Sequence, residues 1–311
     1  MTTKNFKPVT ITPHFYQLGI PFFPVYLSMG EEAMIIEGGT GATFDIIVKQ
    51  IKELGIDPER IKYIALTHTH ADHIGSLPHL KLMWPHIKVV ASLMAAKMLS
   101  NDIMINQFLW FDGSIAEIMK SKEEITELPP TLAKYPFEVD TVAEEGDRFE
   151  LGSGIAWTIH PVPGHSPCQI ALHEEKEGTL VIGDSTGFYS PEKDAFWPNY
   201  FVSLEQYCNG IRKLAALLAK RAALGHNGVI EGEGKVIKFL EKALKATEAY
   251  HLEMLERISS GENPEKIALE KANWVDSFAD HMPFKITQQM CQLLIKRSQK
   301  DAEKSDLSFD L

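Results

Sequence analysis

Seven consecutive residues, Thr67-His68-Thr69-His70-Ala71-Asp72-His73, constrain this chain more than any other feature. They put three histidines and an aspartate within six positions, and a packed interior has little use for so many polar groups without partners. Imidazole and carboxylate are, however, ligands suited to Zn²⁺, iron or Mn²⁺. The segment follows Tyr63-Ile64-Ala65-Leu66, a short apolar run of the kind that forms a buried strand. In an extended continuation of that strand His68 and His70 point to the same side. A turn into a helix at Asp72 and His73 brings those two donors to a second point nearby. One loop can therefore serve two metals.

Three later positions extend the set. Gly164-His165-Ser166 follows Pro161-Val162-Pro163 at a predicted strand end. Gly183-Asp184-Ser185 follows the apolar strand Leu180–Ile182, and Gly225-His226-Asn227 follows Ala222–Leu224 in the same way. Each alone is a weak signal, because a single histidine at a strand end is usually structural. Together with the first loop they make seven donors, the number that two cations sharing a bridging carboxylate require.

The rest of the chain reads as two strand-rich stretches with helices between and after them. Strands are predicted at Val9–Leu18, Val25–Met29, Ala33–Glu37, Tyr63–Leu66 and Lys88–Ala91, then at Phe137–Val142, Arg148–Leu151, Ile155–Pro161, Gln169–His173, Thr179–Ile182 and Ala222–Leu224. Helices are predicted over Phe44–Leu54, Ile74–Trp84, Leu93–Leu99 and Leu204–Lys220. Between about residues 100 and 136 the pattern changes to a helical insertion rich in aromatics. From Lys235 onward each long segment is helical, and the polar tail Lys300–Leu311 is expected to fray. The boundaries drawn are 1–234 for the main domain and 235–311 for a helical C-terminal region. Two sheets face each other under outer helices in this reading.

Composition narrows the partners. Thirty-one Lys and Arg against 42 Asp and Glu leave a net charge of −11, which opposes the basic face that nucleic-acid binding needs. Met1–Thr10 lacks the basic start and apolar run of a secretory leader, and no apolar stretch reaches bilayer length. The cysteines Cys168, Cys208 and Cys291 are odd in number and far apart, so they read as buried small hydrophobes. A cytoplasmic protein without nucleic-acid or membrane partners is expected.

The ordered motifs resemble those of the metallo-β-lactamase fold hydrolases: HxHxDH, a lone His, a bridging Asp and a final His. The resemblance covers roughly residues 10 to 232 and implies a four-layer αββα sandwich, here with the helical insertion and C-terminal extension. It implies that His68, His70 and His165 hold one metal, that Asp72, His73 and His226 hold the other, and that Asp184 bridges them. Members of the main dizinc β-lactamase class carry Cys where this chain has Asp184, and flavo-diiron proteins carry HxExDH where this chain has His70. The remaining branch is glyoxalase-II-like. Within it the chain is most similar to the 2-aminobenzoylacetyl-coenzyme-A thioesterases of quinolone-signal biosynthesis, through Pro24-Val25-Tyr26-Leu27, Ile36-Glu37-Gly38-Gly39 and Ser76-Leu77-Pro78-His79-Leu80. It departs from them at Pro167-Cys168-Gln169 and at Asn227.

The expected function is a dinuclear metal-dependent hydrolase of an acyl-coenzyme A or similar small thioester. Its cofactors are two divalent ions, Zn or Fe with Mn possible, and its nucleophile a metal-bridging hydroxide supported by Asp72 and Asp184. Lactone or other ester hydrolysis, phosphodiester hydrolysis and a metal-retaining regulatory role stand as alternatives. Phe108, Trp110 and Phe111 of the insertion, with Phe188, Tyr189, Phe196 and Trp197 after Asp184, are candidates for an apolar substrate wall. The C-terminal helices are expected to form a lid or a homodimer interface.

Overall fold

Strands with both faces apolar need cover on both sides, and that requirement sets the architecture. The computed structural model describes residues 4–132, 138–302 and 307–311. The first sheet contains β1 (Val9–Thr12), β2 (Phe15–Gly19), β3 (Pro24–Met29), β4 (Ala33–Ile36), β5 (Ile61–Ala65), β6 (Lys88–Ser92) and β7 (Thr141–Ala143), paired in that order. Its first four strands are antiparallel, and β4 through β7 run parallel. The second sheet begins with β8 (Arg148–Gly152), β9 (Ile155–Pro161), β10 (Ile170–Glu174) and β11 (Thr179–Gly183). A separate hairpin, β12 (Phe188–Ser190) and β13 (Ala195–Trp197), precedes β14 (Arg221–Leu224) and β15 (Val229–Glu231), which complete the second sheet in the order β15-β14-β11-β10-β9-β8.

Side chains alternate across these strands between two interiors. In β4, Met34 and Ile36 enter the layer between the sheets, while Ala33 and Ile35 face the outer helices. In β11, Val181 enters the inter-sheet layer and Leu180 and Ile182 face outward. The inter-sheet layer is centred on Phe15, Tyr26 and Trp157, with Phe15 stacked on Tyr26 at 5.3 Å. Two polar tips tie the sheets together: Trp157 Nε1 donates to Ser28 Oγ at 2.8 Å and Tyr26 Oη to the Leu224 carbonyl at 2.7 Å.

Outside the first sheet lie α1 (Phe44–Glu53), α2 (Ala71–Ile74), α3 (Leu77–Met83), α4 (Leu93–Leu99) and α5 (Asp102–Ser121). Outside the second lie α6 (Leu204–Ala215), α7 (Glu233–Ser259), α8 (Pro264–Asp276) and α9 (Phe284–Asp301). The four-layer αββα order expected from the sequence is therefore the order observed. No helix among the described residues is long and apolar enough to cross a membrane.

Several boundaries differ from the sequence reading. Val9–Leu18 is two strands, because Pro13 and His14 form a turn. The helix expected over Ile74–Trp84 is split into α2 and α3 at Gly75 and Ser76, whose amides turn back to the Gly39 and Gly38 carbonyls at 2.7 and 3.0 Å. The predicted strand start at Phe137 and the end of the insertion at 133–136 lie outside the described residues, as do 303–306 of the tail. The tail is not wholly frayed: Leu307 and Phe309 pack against the core, and Arg212 Nε donates to the Asp310 carbonyl at 2.9 Å. All three cysteines are buried, as expected.

Candidate metal centre

The donors sit beyond the ends of β5, β9, β11 and β14, at one edge of the sandwich. The first loop leaves β5 extended, and the Ile170 amide holds it by donating to the Thr67 carbonyl at 2.8 Å. The chain turns helical at Ala71, so Asp72 and His73 lie in the single turn α2 while His68 and His70 precede it. That change of backbone sends the four side chains to two different points. The glycine loop after β4 passes close enough to α2 for the Gly38 amide to donate to the His73 carbonyl at 2.6 Å. A Cβ on Gly38 would stand 2.8 Å from that carbonyl oxygen, so a side chain is excluded there.

The seven predicted donors converge. His70 Nδ1 lies 3.1 Å from His68 Nε2 and 2.9 Å from His165 Nε2, and Asp184 Oδ2 is 3.4 Å from the same His165 nitrogen. On the other side, Asp184 Oδ1 lies 3.5 Å from His73 Nε2 and 3.6 Å from His226 Nε2. Asp72 Oδ2 is 3.6 Å from both of those nitrogens. Asp184 thus turns Oδ2 toward His165 and Oδ1 toward His73 and His226. Among the described residues, three groups of donor atoms lie close enough together to hold a cation: His68, His70, His165 and Asp184; Asp72, His73 and His226; and Glu37, His68 and His73.

Outward-facing nitrogens are held by the protein. His68 Nδ1 meets Thr67 Oγ1 at 3.0 Å, His165 Nδ1 the Asn199 carbonyl at 3.0 Å, and His226 Nδ1 the Phe22 carbonyl at 2.7 Å. A ring N–H directed at a carbonyl leaves the opposite Nε2 as a lone pair, the arrangement metal-ligating histidines use. His73 Nδ1 faces Glu37 Oε2 at 3.2 Å, and Glu37 Oε1 accepts from Thr67 Oγ1 at 2.6 Å. Glu37 is fully buried with a left-handed φ of 75°, and it orients two of the loops at once. The sequence reading assigned it no role, since a single Glu at a strand end gives no signal until the fold brings His73 to it.

The electrostatics divide the site. Burial, reinforced by neighbouring histidines, holds His68 well below the usual imidazole range, pulls His70 down and brings His165 to about 3. These three rings are neutral near pH 7, with lone pairs available. Burial would depress His73 and His226 too, but Glu37 and Asp184 overcome it at His73, and Asp184 at His226, so both are raised. Burial pushes Asp184 upward, and the adjacent His226 and His73 outweigh it, so its carboxyl stays well below the ordinary range.

The donor set passes a test for a bound cation. His73 Nε2 and Asp184 Oδ1 are both buried without a hydrogen-bond partner, although buried polar atoms are nearly always satisfied. They face one another across 3.5 Å, as two ligands of one ion do. All the donors are nitrogen or oxygen, which suits zinc, iron or manganese.

A cavity of about 450 Å³ opens onto these groups. Phe108, Trp110 and Phe111 of α5 line it, as do Phe188 and Trp197. Tyr189 and Phe196 do not: each packs on Phe239 of α7 at 5.1 Å, which corrects their placement in the wall. Walls that the sequence did not single out come from Phe22, Phe201, and Ile286, Gln289 and Met290 of α9. His281 is held by Glu124 Oε2 at 2.9 Å and lies over Phe22 with ring centres 4.2 Å apart. That contact secures the segment that leads into α9 against the end of the insertion.

A model of the metallo-beta-lactamase superfamily matches residues 25–226, a span that contains all seven donors. The chain belongs to this superfamily. It is 28% identical over 166 residues to the uncharacterized protein YobT of Bacillus subtilis (strain 168), a match covering 52% of this chain and 62% of YobT. Over 70 residues it is 39% identical to flavo-diiron protein FprA2 of Clostridium acetobutylicum, covering 22% of this chain and 17% of that protein. The chain thus spans less than two thirds of the length of either curated relative. The metallo-beta-lactamase family protein TTHA1429 of Thermus thermophilus shares the fold, with a TM-score of 0.66 at 18% identity over 94% of this chain and 95% of its own.

Proposed function

We propose that this superfamily member is a dinuclear metal-dependent hydrolase of small thioesters whose acyl group is apolar and uncharged. The observation that carries the reading is the division of Asp184, one oxygen toward each donor group. His68, His70 and His165 would hold one divalent cation and Asp72, His73 and His226 the second, with Asp184 shared. Such a pair, when bound, supplies a hydroxide nucleophile near neutral pH and Lewis acidity toward a carbonyl. The protein's own groups do the positioning. Asp72 lines the cavity and would orient the attacking water through a hydrogen bond to its carboxylate. Glu37 and the backbone carbonyls of Phe22 and Asn199 keep the imidazoles turned to the site.

The substrate class follows from the wall. Among the described residues lining the cavity there is no Lys or Arg, and most of the lining is aromatic or aliphatic. Along the wall away from the metal donors, an anionic acyl group would be stripped of water without a countercharge, whereas an aromatic or alkyl acyl group gains from burial. The same groups would open a lactone, which is therefore the second substrate to try. The di-iron chemistry in the name of the Clostridium relative is a poorer fit, since His70 stands where the flavo-diiron motif has a Glu.

The test is thiol release from a panel of acyl-coenzyme A and acyl-glutathione thioesters by metal-loaded protein, with Asp184→Ala alongside. We expect about two metal equivalents per chain, a preference for apolar acyl groups, and a loss of at least about 10²-fold in kcat in the variant. Undiminished turnover by Asp184→Ala would refute the shared-carboxylate mechanism. Silence toward thioesters with both metals present would shift the assignment to lactones.

A further inference from the structure

Helix α5 contributes to the cavity with one side and leaves another side open. Ile105, Phe108, Ile115 and Met119 are buried against the two outer cores. Ile103, Asn106, Gln107 and Trp110 fall three and four residues apart on a different face, and they line a shallow groove of their own. Ile103 is 71% exposed and Trp110 62%. Single exposed apolar residues are ordinary, but these two flank a pair of amide side chains, and Gln107 and Trp110 also belong to the wall of the metal-site cavity. Groove and cavity therefore adjoin at these two residues.

We propose that this face of α5 is a second subsite, which holds the leaving arm of the substrate as it runs out of the cavity. The inference rests on the hydrolase reading for the words acyl and leaving arm, but the binding it describes is separate from turnover. Its chemistry selects the occupant. None of the four lining side chains is charged, so the groove offers no countercharge to a phosphate or carboxylate. Ile103 and the Trp110 indole offer surface to methylenes, and the Asn106 and Gln107 amides offer both a donor and an acceptor to an amide chain. An extended neutral chain of alternating alkyl and amide groups, as in a pantetheine arm, fits that pattern.

The experiment compares two non-hydrolysable ligands, the phenacyl thioethers of pantetheine and of 2-mercaptoethanol, by calorimetric titration of the metal-loaded protein. They share the group that enters the cavity and differ only in the arm. We expect the pantetheine thioether to bind about tenfold more tightly. Ile103→Ala, which touches the groove and not the cavity, should erase most of that preference and leave the affinity of the short thioether within about twofold. Trp110→Ala should erase it as well. Equal weakening of both ligands in Ile103→Ala, persistence of the preference in that variant, or absence of binding by either ligand would overturn the proposal. A shift of the Ile103→Ala variant to a smaller species in sedimentation would also overturn it, by making this face a contact between copies. Arm-dependent binding without thioester turnover would instead count against the hydrolase reading alone, and turnover without arm-dependent binding against the subsite alone.

Discussion

Gly225 immediately precedes His226, and a methyl group on its Cα would overlap Asp184 Oδ1 and the Gly183 backbone. Asp184 has no room to retreat, because its other oxygen is engaged by the His165 side of the site. Gly225→Ala should therefore disturb the shared carboxylate while leaving the sandwich standing. We expect bound metal to fall from about two equivalents to one or fewer, with a far-ultraviolet spectrum unchanged. Elemental analysis after gel filtration checks it, and two retained equivalents would show that the close approach carries no constraint. The donors themselves were legible in the sequence because each stands beside a small residue or within a dense motif at a strand end. Glu37 was not, since its partners Thr67 and His73 are 30 and 36 positions away and one carboxylate at a strand end has many ordinary uses.

Element α5 illustrates how an insertion can be read as helical without its anchor being visible. The spacing of Phe108, Phe111, Ile115 and Met119 marks an amphipathic helix, yet its buried face includes Asp112. That carboxylate accepts from Thr40 Oγ1 at 2.6 Å and from the Gly41 amide at 2.9 Å, and so fastens α5 to the glycine loop beside α2. Burial is the dominant influence and raises Asp112 to about 6, against the ordinary 3.8, even though both hydrogen bonds pull it down. A carboxyl raised on folding binds its proton more tightly in the native state, so its contribution is fully present below about pH 4 and is lost as pH rises through 6. The loss is on the order of 3 kcal/mol. Asp112→Asn keeps an acceptor at the same place and removes the ionisation. The unfolding free energy of this variant minus that of the parent should rise between pH 4 and pH 7 by up to about that amount. Urea titrations at four pH values test it, and a difference that stays flat would mean Asp112 titrates normally. The small hairpin β12–β13 escaped the sequence reading for a related reason. Three-residue strands give too short an alternation to register, and their aromatics were assigned to the cavity wall as a group although Tyr189 and Phe196 turn toward α7.

At the scale of the whole molecule, the boundary drawn at residue 235 marks a change of composition rather than a change of core. Leu180, Ile182 and Ala222 of the second sheet lie in one apolar cluster with Leu204 and Ile211 of α6, Phe239 and Leu240 of α7, Ile267 of α8 and Leu294 of α9. Ile115 and Met119 of the insertion join the same cluster. The helical C-terminal region thus supplies the cover that the outer face of the second sheet needs, while α9 adds Ile286, Gln289 and Met290 to the cavity. Helical periodicity in the sequence identified the helices, but which sheet face they cover is a long-range outcome that periodicity alone does not encode. A cluster shared in this way should unfold as one unit. We expect the full chain to show a single calorimetric transition, and a chain ending at Gly232 to expose that sheet face, bind hydrophobic dyes and aggregate. A truncated chain that stayed monomeric, melted cooperatively and still took up two metals would make 235–311 an independent appendage. The apolar wall from α9 would then be an addition to a site already complete without it.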